Sequence, residues 1–131
     1  MNLKQVRKMG AVKKHQQRLR FVEALNRMDS AWMEFLQDKD VFDINYSDLY
    51  TGLWAKQEPV RKQEALLYMR HLGPQTAKKY LDKAIMIGLL IELPDPSDGR
   101  AKLITLSPEL KSWLEEFFDH AINLFREAVK T

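Results

Sequence analysis

The chain has 131 residues, a length that suits one domain with one hydrophobic core. Its 45% hydrophobic and 30% charged residues are typical of a globular protein, and the absence of cysteine excludes disulfides and cysteine-ligated zinc. Because no stretch is apolar and long enough to span a membrane, and the N-terminus lacks the apolar core of a secretory signal, we expect a soluble cytoplasmic protein.

The net charge of +3 conceals a strongly basic N-terminus. The first twenty residues contain seven lysines and arginines and no acidic residue, whereas the rest of the chain has fourteen basic and eighteen acidic residues, a net of −4. We interpret residues 1–13 as a basic arm. Such an arm either binds the phosphate backbone irrespective of sequence or is a solvated tail, and composition favours neither.

A long helix is predicted over residues 14–38. Apolar residues there recur at intervals of four and three, which is the spacing of a seam that pairs with another helix. The seam consists of Phe21, Leu25, Met28, Trp32 and Phe35.

A winged helix-turn-helix is predicted over residues 43–106. The helical spacing of apolar residues between Tyr46 and Trp54 indicates its first helix, which Pro59 ends. Residues 59–61 suit a short extra strand, and residues 64–69 suit a second short helix.

The stretch that follows is the most informative part of the sequence. Pro74 suits a first helical position and Gly88 a left-handed C-cap, so a helix is predicted between them. A strand is then predicted over residues 89–93, a turn over residues 94–99 and a second strand over residues 100–106. A helix followed by a hairpin is the plan of a winged helix, in which the helix enters a major groove and the hairpin follows the backbone or the minor groove.

The last helix is predicted over residues 107–130, with Ser107, Pro108 and Glu109 at its start. Its apolar residues again recur at intervals of four and three. The first and last helices carry more apolar surface than a small domain covers, so we expect them to pair with the same helices of a second subunit. The alternative is that both helices pack on the winged helix-turn-helix of their own chain. The predicted dimer interface comprises Phe21, Leu25, Met28, Trp32, Leu114, Phe117, Ala121 and Leu124.

The hairpin carries a recognisable pattern. The run from Asp95 to Glu109 contains an aspartate, a variable residue and an arginine (Asp98 to Arg100), followed by alternating apolar residues and a helix start. Together with residues 76–83, this run resembles the wing and recognition helix of the multiple antibiotic resistance regulator (MarR) family, over roughly residues 43–115. The resemblance implies a mainly α fold with a small β-wing, flanked by N- and C-terminal dimerisation helices.

The resemblance also implies a ligand pocket. Ligand-responsive members of this family have a ligand pocket between the dimerisation helices and the winged helix-turn-helix. In this chain, aromatic residues at that place would admit a small aromatic effector. Plain core packing is the alternative. The aromatic residues are Trp32, Phe35, Tyr50, Trp54, Trp113 and Phe117.

Polar residues of the recognition helix and of the wing are the candidate DNA contacts. Gln75 can pair with adenine, Thr76 can meet a phosphate or a thymine methyl, and lysines can reach guanine or phosphate. Arg100 suits a narrow minor groove, with Asp98 either holding its guanidinium or capping the turn. A solvated helix face and a local surface ion pair are the alternatives. The predicted DNA contacts are Gln75, Thr76, Lys78, Lys79, Lys83, Asp98, Arg100 and Lys102. The predicted core-facing residues of the same helix are Ala77, Tyr80, Leu81, Ala84, Ile85 and Ile87.

We find no catalytic constellation in the sequence, and therefore expect no enzyme activity, no cofactor and no metal. The acidic run at Asp38, Asp40 and Asp43 lacks the glycine and the closing glutamate of a calcium loop. The residues predict a transcription regulator that binds a palindromic duplex site as a homodimer, with release by a small ligand as a further expectation. The alternative is a winged-helix module that binds a protein partner and has no specific DNA binding.

Overall fold

The computed structural model describes residues 2–36 and 40–130, and within them it contains five helices and three strands. The predicted class, mainly α with a small β-wing, is confirmed. None of the helices in these two ranges is long and apolar enough to cross a membrane. The elements in chain order are α1 (Leu3–Leu36), α2 (Ile44–Lys56), β1 (Val60–Arg61), α3 (Lys62–Tyr68), α4 (Pro74–Met86), β2 (Leu90–Asp95), β3 (Asp98–Leu106) and α5 (Pro108–Ala128).

The chain divides into two compact units. The central unit is Phe35–Glu115, and it contains α2, α3, α4 and the three strands. The terminal unit consists of the described residues up to Glu34 and from Glu116 onward, and it is therefore built from most of α1 and the second half of α5.

Helix α1 begins at Leu3, so residues 3–13 of the predicted basic arm are helical and the prediction of a helix starting near residue 14 is wrong. Asn2 explains the early start. Its side-chain oxygen accepts a hydrogen bond from the Gln5 backbone N–H at 2.8 Å, and the Gln5 side-chain oxygen accepts one from the Asn2 backbone N–H at 2.9 Å. This reciprocal capping satisfies two otherwise unpaired donors. The predicted end at Asp38 lies outside the described residues.

In the terminal unit, α1 packs against α5 of the same chain. The ring centroids of Phe21 and Phe125 are 5.3 Å apart, and those of Trp32 and Phe117 are 5.2 Å apart in an edge-to-face arrangement. Because later positions of α1 meet earlier positions of α5, the two helices run antiparallel.

Arg20 closes the far end of this helix pair. Its Nε donates to the Ala128 carbonyl at 3.1 Å, and one of its terminal nitrogens donates to the Lys130 carbonyl at 3.2 Å. The last carbonyls of a helix have no partner within the helix, so these bonds cap α5 with a side chain of α1. Small buried residues, Ala24 on α1 and Ala121 on α5, leave room for close approach.

The central unit is organised around an antiparallel three-stranded sheet in the order β1-β3-β2. Val60 lies opposite Ile104 and Arg61 opposite Leu103, which confirms the extra strand predicted at residues 59–61. Helices α2, α3 and α4 and the start of α5 contribute much of the rest of the core. The largest fully buried side chains of this unit include Leu49, Tyr50, Met69, Leu81, Leu90, Ile104, Leu110 and Leu114.

A glycine sets the approach of α2 to α3. A methyl group added at Gly52 would lie 2.8 Å and 2.9 Å from two ring carbons of Tyr68. Real β-carbons do not approach other atoms so closely, so this position requires a residue without a side chain.

Candidate nucleic-acid interface

Helix α4 is bounded as its sequence predicts. Gly73 is the N-cap with extended backbone, Pro74 occupies the first turn, and Gly88 has φ of +85°, a left-handed conformation that suits glycine. Ala77 and Leu81 are buried, and so is Ala84 one turn further on. This apolar face fixes the rotation of the helix and turns its polar face outward.

The structure exposes the first four predicted contacts of α4, namely Gln75, Thr76, Lys78 and Lys79. Lys83 is different, because its Nζ lies 3.0 Å from Asp40 Oδ2 and 3.2 Å from the Asp40 carbonyl. Ile87 follows the helix as its C-cap and is exposed, so the prediction that it faces the core is wrong.

A tyrosine anchors α4 to the start of α2. The Tyr80 hydroxyl donates to Asp43 Oδ2 at 2.8 Å, while Asp43 Oδ1 accepts from the backbone N–H groups of Asn45 and Tyr46 and so caps α2. The Tyr46 ring stacks on that of Tyr80, with centroids 4.7 Å apart, and its hydroxyl donates to the Tyr80 carbonyl at 3.0 Å. The hydrogen bond to Asp43, supported by partial desolvation and the carboxylate charge, raises the pKa of the Tyr80 phenol.

The wing is longer and its turn shorter than the sequence predicts. Strand β2 extends to Asp95 and β3 begins at Asp98, so the predicted turn over residues 94–99 is wrong in its bounds. Pro94 lies within β2 because this is an edge strand, where a missing N–H can face away from the ladder. The register shifts between Pro94 and Asp95.

Two aspartates stabilise the tip of the wing. Asp95 Oδ1 accepts from the Ser97 backbone N–H at 2.9 Å and from its hydroxyl at 2.8 Å. These bonds, with the charge of Arg61 nearby, hold the pKa of Asp95 below its usual range. Asp98 Oδ1 accepts from the Arg100 backbone N–H at 3.0 Å, so Asp98 caps the turn, which is one of its two predicted roles.

Lys62, at the start of α3, joins three elements. Its Nζ lies 3.0 Å from Glu92 of β2 and 3.4 Å from Asp82 of α4. Burial opposes the charged ammonium, but the two carboxylates outweigh this effect, so the pKa of Lys62 is raised. These ion pairs connect α4 to the wing.

An open groove lies between the wing, α4 and the segment 61–63. Among the predicted contacts, Lys78 of α4 lines this groove together with Asp98, Arg100 and Lys102 of β3. The groove therefore brings half of the predicted contacts together on one surface. It also contains three residues that the sequence interpretation missed, which are Arg61, Lys62 and Gln63.

Comparison with solved structures identifies this architecture. The transcriptional regulator Tm0710 of Thermotoga maritima matches with a TM-score of 0.58 and 17% identity, over 82% of this chain and 73% of that one. Sco3205 of Streptomyces coelicolor, a MarR family transcriptional regulator in complex with DNA, matches with a TM-score of 0.54 and 19% identity, over 83% and 71%. The chain has a MarR-like winged-helix fold.

A third match is a protein whose DNA binding is regulated by a small molecule. BpsR of Bordetella bronchiseptica, described as regulated by 6-hydroxynicotinic acid, matches with a TM-score of 0.51 and 18% identity, over 82% of this chain and 75% of that one. Neither a protein-family model nor a curated protein matches the sequence. The resemblance drawn from the wing is thus confirmed for the fold.

The residues predicted to form a dimer interface have several environments within this MarR-like fold. Leu114 and Ala121 are buried in the single chain, and Trp32 contacts Phe117 of the same chain. The four remaining members, Phe21, Leu25, Met28 and Leu124, are exposed or half-buried in the terminal unit. Part of the predicted interface is therefore already covered by the chain itself.

The six aromatic residues predicted to line an effector pocket belong to both units. In the central unit, the Phe35 and Trp113 rings stack with centroids 4.5 Å apart, Tyr50 is buried with its hydroxyl bonded to the Val41 carbonyl, and Trp54 Nε1 donates to Glu115 at 3.1 Å. Trp32 and Phe117 form the edge-to-face pair of the terminal unit.

Proposed function

We propose that the protein is a DNA-binding transcription regulator that acts as a homodimer on a palindromic duplex site, and that it is a binding protein rather than an enzyme. One observation carries this proposal: Lys78, on the exposed polar face of α4, and the basic residues Arg100 and Lys102 of the wing line the same groove. A winged helix uses these two elements together on duplex DNA.

The proposed division of roles follows from the chemistry of each side chain. Gln75 and Thr76 lie at the exposed start of α4, where an amide can read adenine and a hydroxyl can meet a phosphate or a thymine methyl. Lys78 and Lys79 supply phosphate contacts. Arg100 enters the adjacent minor groove, where the negative potential is strongest when the groove is narrow.

Lys83 is the weakest member of the proposed set. Its ammonium is held by Asp40, so a DNA contact would require that ion pair to open. We assign Lys83 to the positioning of α4 and leave sequence readout to the first turns of the helix.

The proposed dimer uses the apolar surface that the terminal unit leaves exposed. Leu19 and Val22 are each 50% exposed on α1, three residues apart and therefore on one face. Changing both to Glu should give monomers that remain folded. Sedimentation at micromolar concentration measures the oligomeric state. The matched control is Ile44→Glu, an exposed apolar residue at the start of α2 where an acidic side chain is favourable.

The basic start of α1 provides sequence-independent attraction in this proposal. Residues 2–16 are exposed throughout, and within them lie Lys4, Arg7, Lys8, Lys13 and Lys14. Removing residues 1–14 should weaken binding to all duplexes alike and flatten its dependence on salt. An unchanged salt dependence would favour the solvated-helix alternative.

The proposed effector is a small aromatic molecule that releases the protein from DNA. The regulation of BpsR by 6-hydroxynicotinic acid supports this class, and the aromatic residues of the chain supply suitable stacking partners. The test measures duplex binding with and without 6-hydroxynicotinic acid and with benzoic acid as a second probe. If neither compound changes duplex binding at millimolar concentration, these two probes give no support to an aromatic effector.

The experiment that tests the function is a titration of binding to random duplex DNA with salt. Binding at low salt that falls steeply as salt rises supports the regulator. No binding even at low salt would favour a winged-helix module that docks a protein partner.

A further inference from the structure

Arg61 occupies a position that the predicted DNA contacts do not explain. It ends β1 opposite Leu103, and it lines the groove between the wing and α4. One terminal nitrogen of Arg61 lies 3.5 Å from Asp95 Oδ2. The Arg61 side chain is 63% exposed, whereas the Asp95 side chain is only 8% exposed.

We infer that this groove binds one phosphodiester segment of duplex DNA, and that Arg61 exchanges the Asp95 carboxylate for a backbone phosphate when DNA is bound. The inference rests on the proposed function and deepens it. It adds a contact outside the recognition helix and the wing, and it makes Asp95 an internal competitor of the DNA.

The geometry of a duplex explains why a phosphate strand belongs in this groove. A helix in a major groove and a hairpin in the adjacent minor groove are separated by one sugar–phosphate strand. That strand has to pass between the two protein elements. In this chain the space between them is lined by Lys78, Arg61, Arg100 and Lys102, with Asp98 as the acidic residue of the groove.

The two cations Lys62 and Arg61 are not equally available to a phosphate. Lys62 is held by Glu92 and Asp82 together and is partly buried, so it stays with the protein. Among the described residues, Arg61 pairs with one carboxylate, that of Asp95 at 3.5 Å, and its side chain is mostly exposed; such a pair stabilises a protein little. A phosphate can accept two parallel hydrogen bonds from a guanidinium, so it competes well with Asp95 for Arg61.

Asp95 keeps its structural role during this exchange. Its other oxygen, Oδ1, accepts both bonds from Ser97, and these hold the tip of the wing. The substitution Asp95→Asn preserves an oxygen for the Ser97 bonds and removes the negative charge that attracts Arg61. The variant Arg61→Gln removes the cation and leaves Asp95 in place.

The two variants distinguish two roles for Arg61: a contact with a DNA phosphate, and a purely structural contact that holds the wing in place. We expect Arg61→Gln to weaken binding to specific and random duplexes alike by about tenfold, and to lower the slope of log affinity against log salt by about one per protomer. We expect Asp95→Asn to strengthen binding by about two- to fivefold, because it frees Arg61 and removes a charge that repels phosphate. Thermal melts check that both variants are folded.

Neutral methylphosphonates provide the second measurement. Replacing the phosphates between the two contacted grooves should weaken the wild type, and on that duplex Arg61→Gln should bind like the wild type, because the charge it meets is gone. If Arg61→Gln and Asp95→Asn weaken binding equally on ordinary duplex, Arg61 only braces the wing and the inference is overturned while the proposed function stands. If the wild type binds no duplex at low salt, both are overturned.

Discussion

Arg100→Ala is the substitution that examines the wing most closely. Among the described residues, no carboxylate lies within ion-pairing distance of the Arg100 guanidinium, and Asp98 bonds to the backbone of Arg100 rather than to its side chain. Truncation therefore leaves the turn intact, and the free energy of unfolding should change by less than about 0.5 kcal/mol. A loss of DNA binding can then be assigned to the missing contact.

The expected loss depends on the flanking sequence. On sites flanked by A-tracts, whose minor grooves are narrow, we expect Arg100→Ala to cost about 1–3 kcal/mol per protomer, which is about 5- to 150-fold in affinity. On G·C-rich flanks the loss should be smaller. Arg100→Lys should recover only part of it, because an ammonium is more strongly hydrated than a guanidinium.

The assay is a titration of fluorescent duplexes that share one central site and differ in their flanks. Lys111→Ala is the matched control, since Lys111 is an exposed cation of the central unit outside the groove. Equal losses on every flank would mean that Arg100 touches only the backbone. No loss on any flank would refute the placement of the wing in the minor groove.

Three further predictions concern the helices, the recognition residues and pH. Gly52→Ala should lower the free energy of unfolding by about 1–3 kcal/mol, because the added methyl group clashes with Tyr68. Gly10→Ala should raise it by up to about 1 kcal/mol, because the added methyl group meets open space among the described residues and alanine favours a helix. Chemical denaturation measures both changes. Gln75→Ala should relax sequence preference at one or two positions of the site, at a cost of about 1–3 kcal/mol, measured by binding to single-base variants. Because the pKa of Asp95 is lowered in the folded protein, its carboxylate stabilises the fold above pH 3.8, and this stabilisation is lost as the pH falls further. Between pH 6 and pH 2.5, the melting temperature should therefore fall less steeply for Asp95→Asn than for the wild type.

Local rules account for the parts of the fold that the sequence predicts well. Pro74 and Gly88 bound α4 because each suits one backbone geometry, and Ser107 caps α5 through a 3.0 Å bond from the Leu110 N–H to its hydroxyl. The start of α1 is also local, since Asn2 and Gln5 form a capping pair three residues apart. This capping pair can be found in the sequence, but the run of positive charge in the first twenty residues favours the interpretation of a basic arm instead of a helix.

The features that escape prediction depend on residues that are distant in sequence. Periodicity places Lys83 on the polar face of α4, but it contains no information about Asp40, which lies 43 positions earlier. The groove likewise joins Arg61 to Lys78 and Arg100, and Arg61 reaches it because β1 pairs with β3, whose residues are about 40 positions later in the sequence. Helical spacing in α1 and α5 indicates surfaces that pack, yet Phe21 and Phe125 meet within one chain, which a heptad pattern alone does not distinguish from pairing between chains.

In the proposed dimer, α4 and the wing of each subunit read duplex DNA as a symmetric pair. Selection of bound sequences from a random duplex library, repeated with the Leu19→Glu, Val22→Glu double variant, tests it most directly. For the wild type we expect an enriched palindrome whose half-sites are about one helical turn apart, and for the variant we expect the palindrome to be lost. Enrichment of no sequence by the wild type, with retention that does not vary with salt, would contradict it.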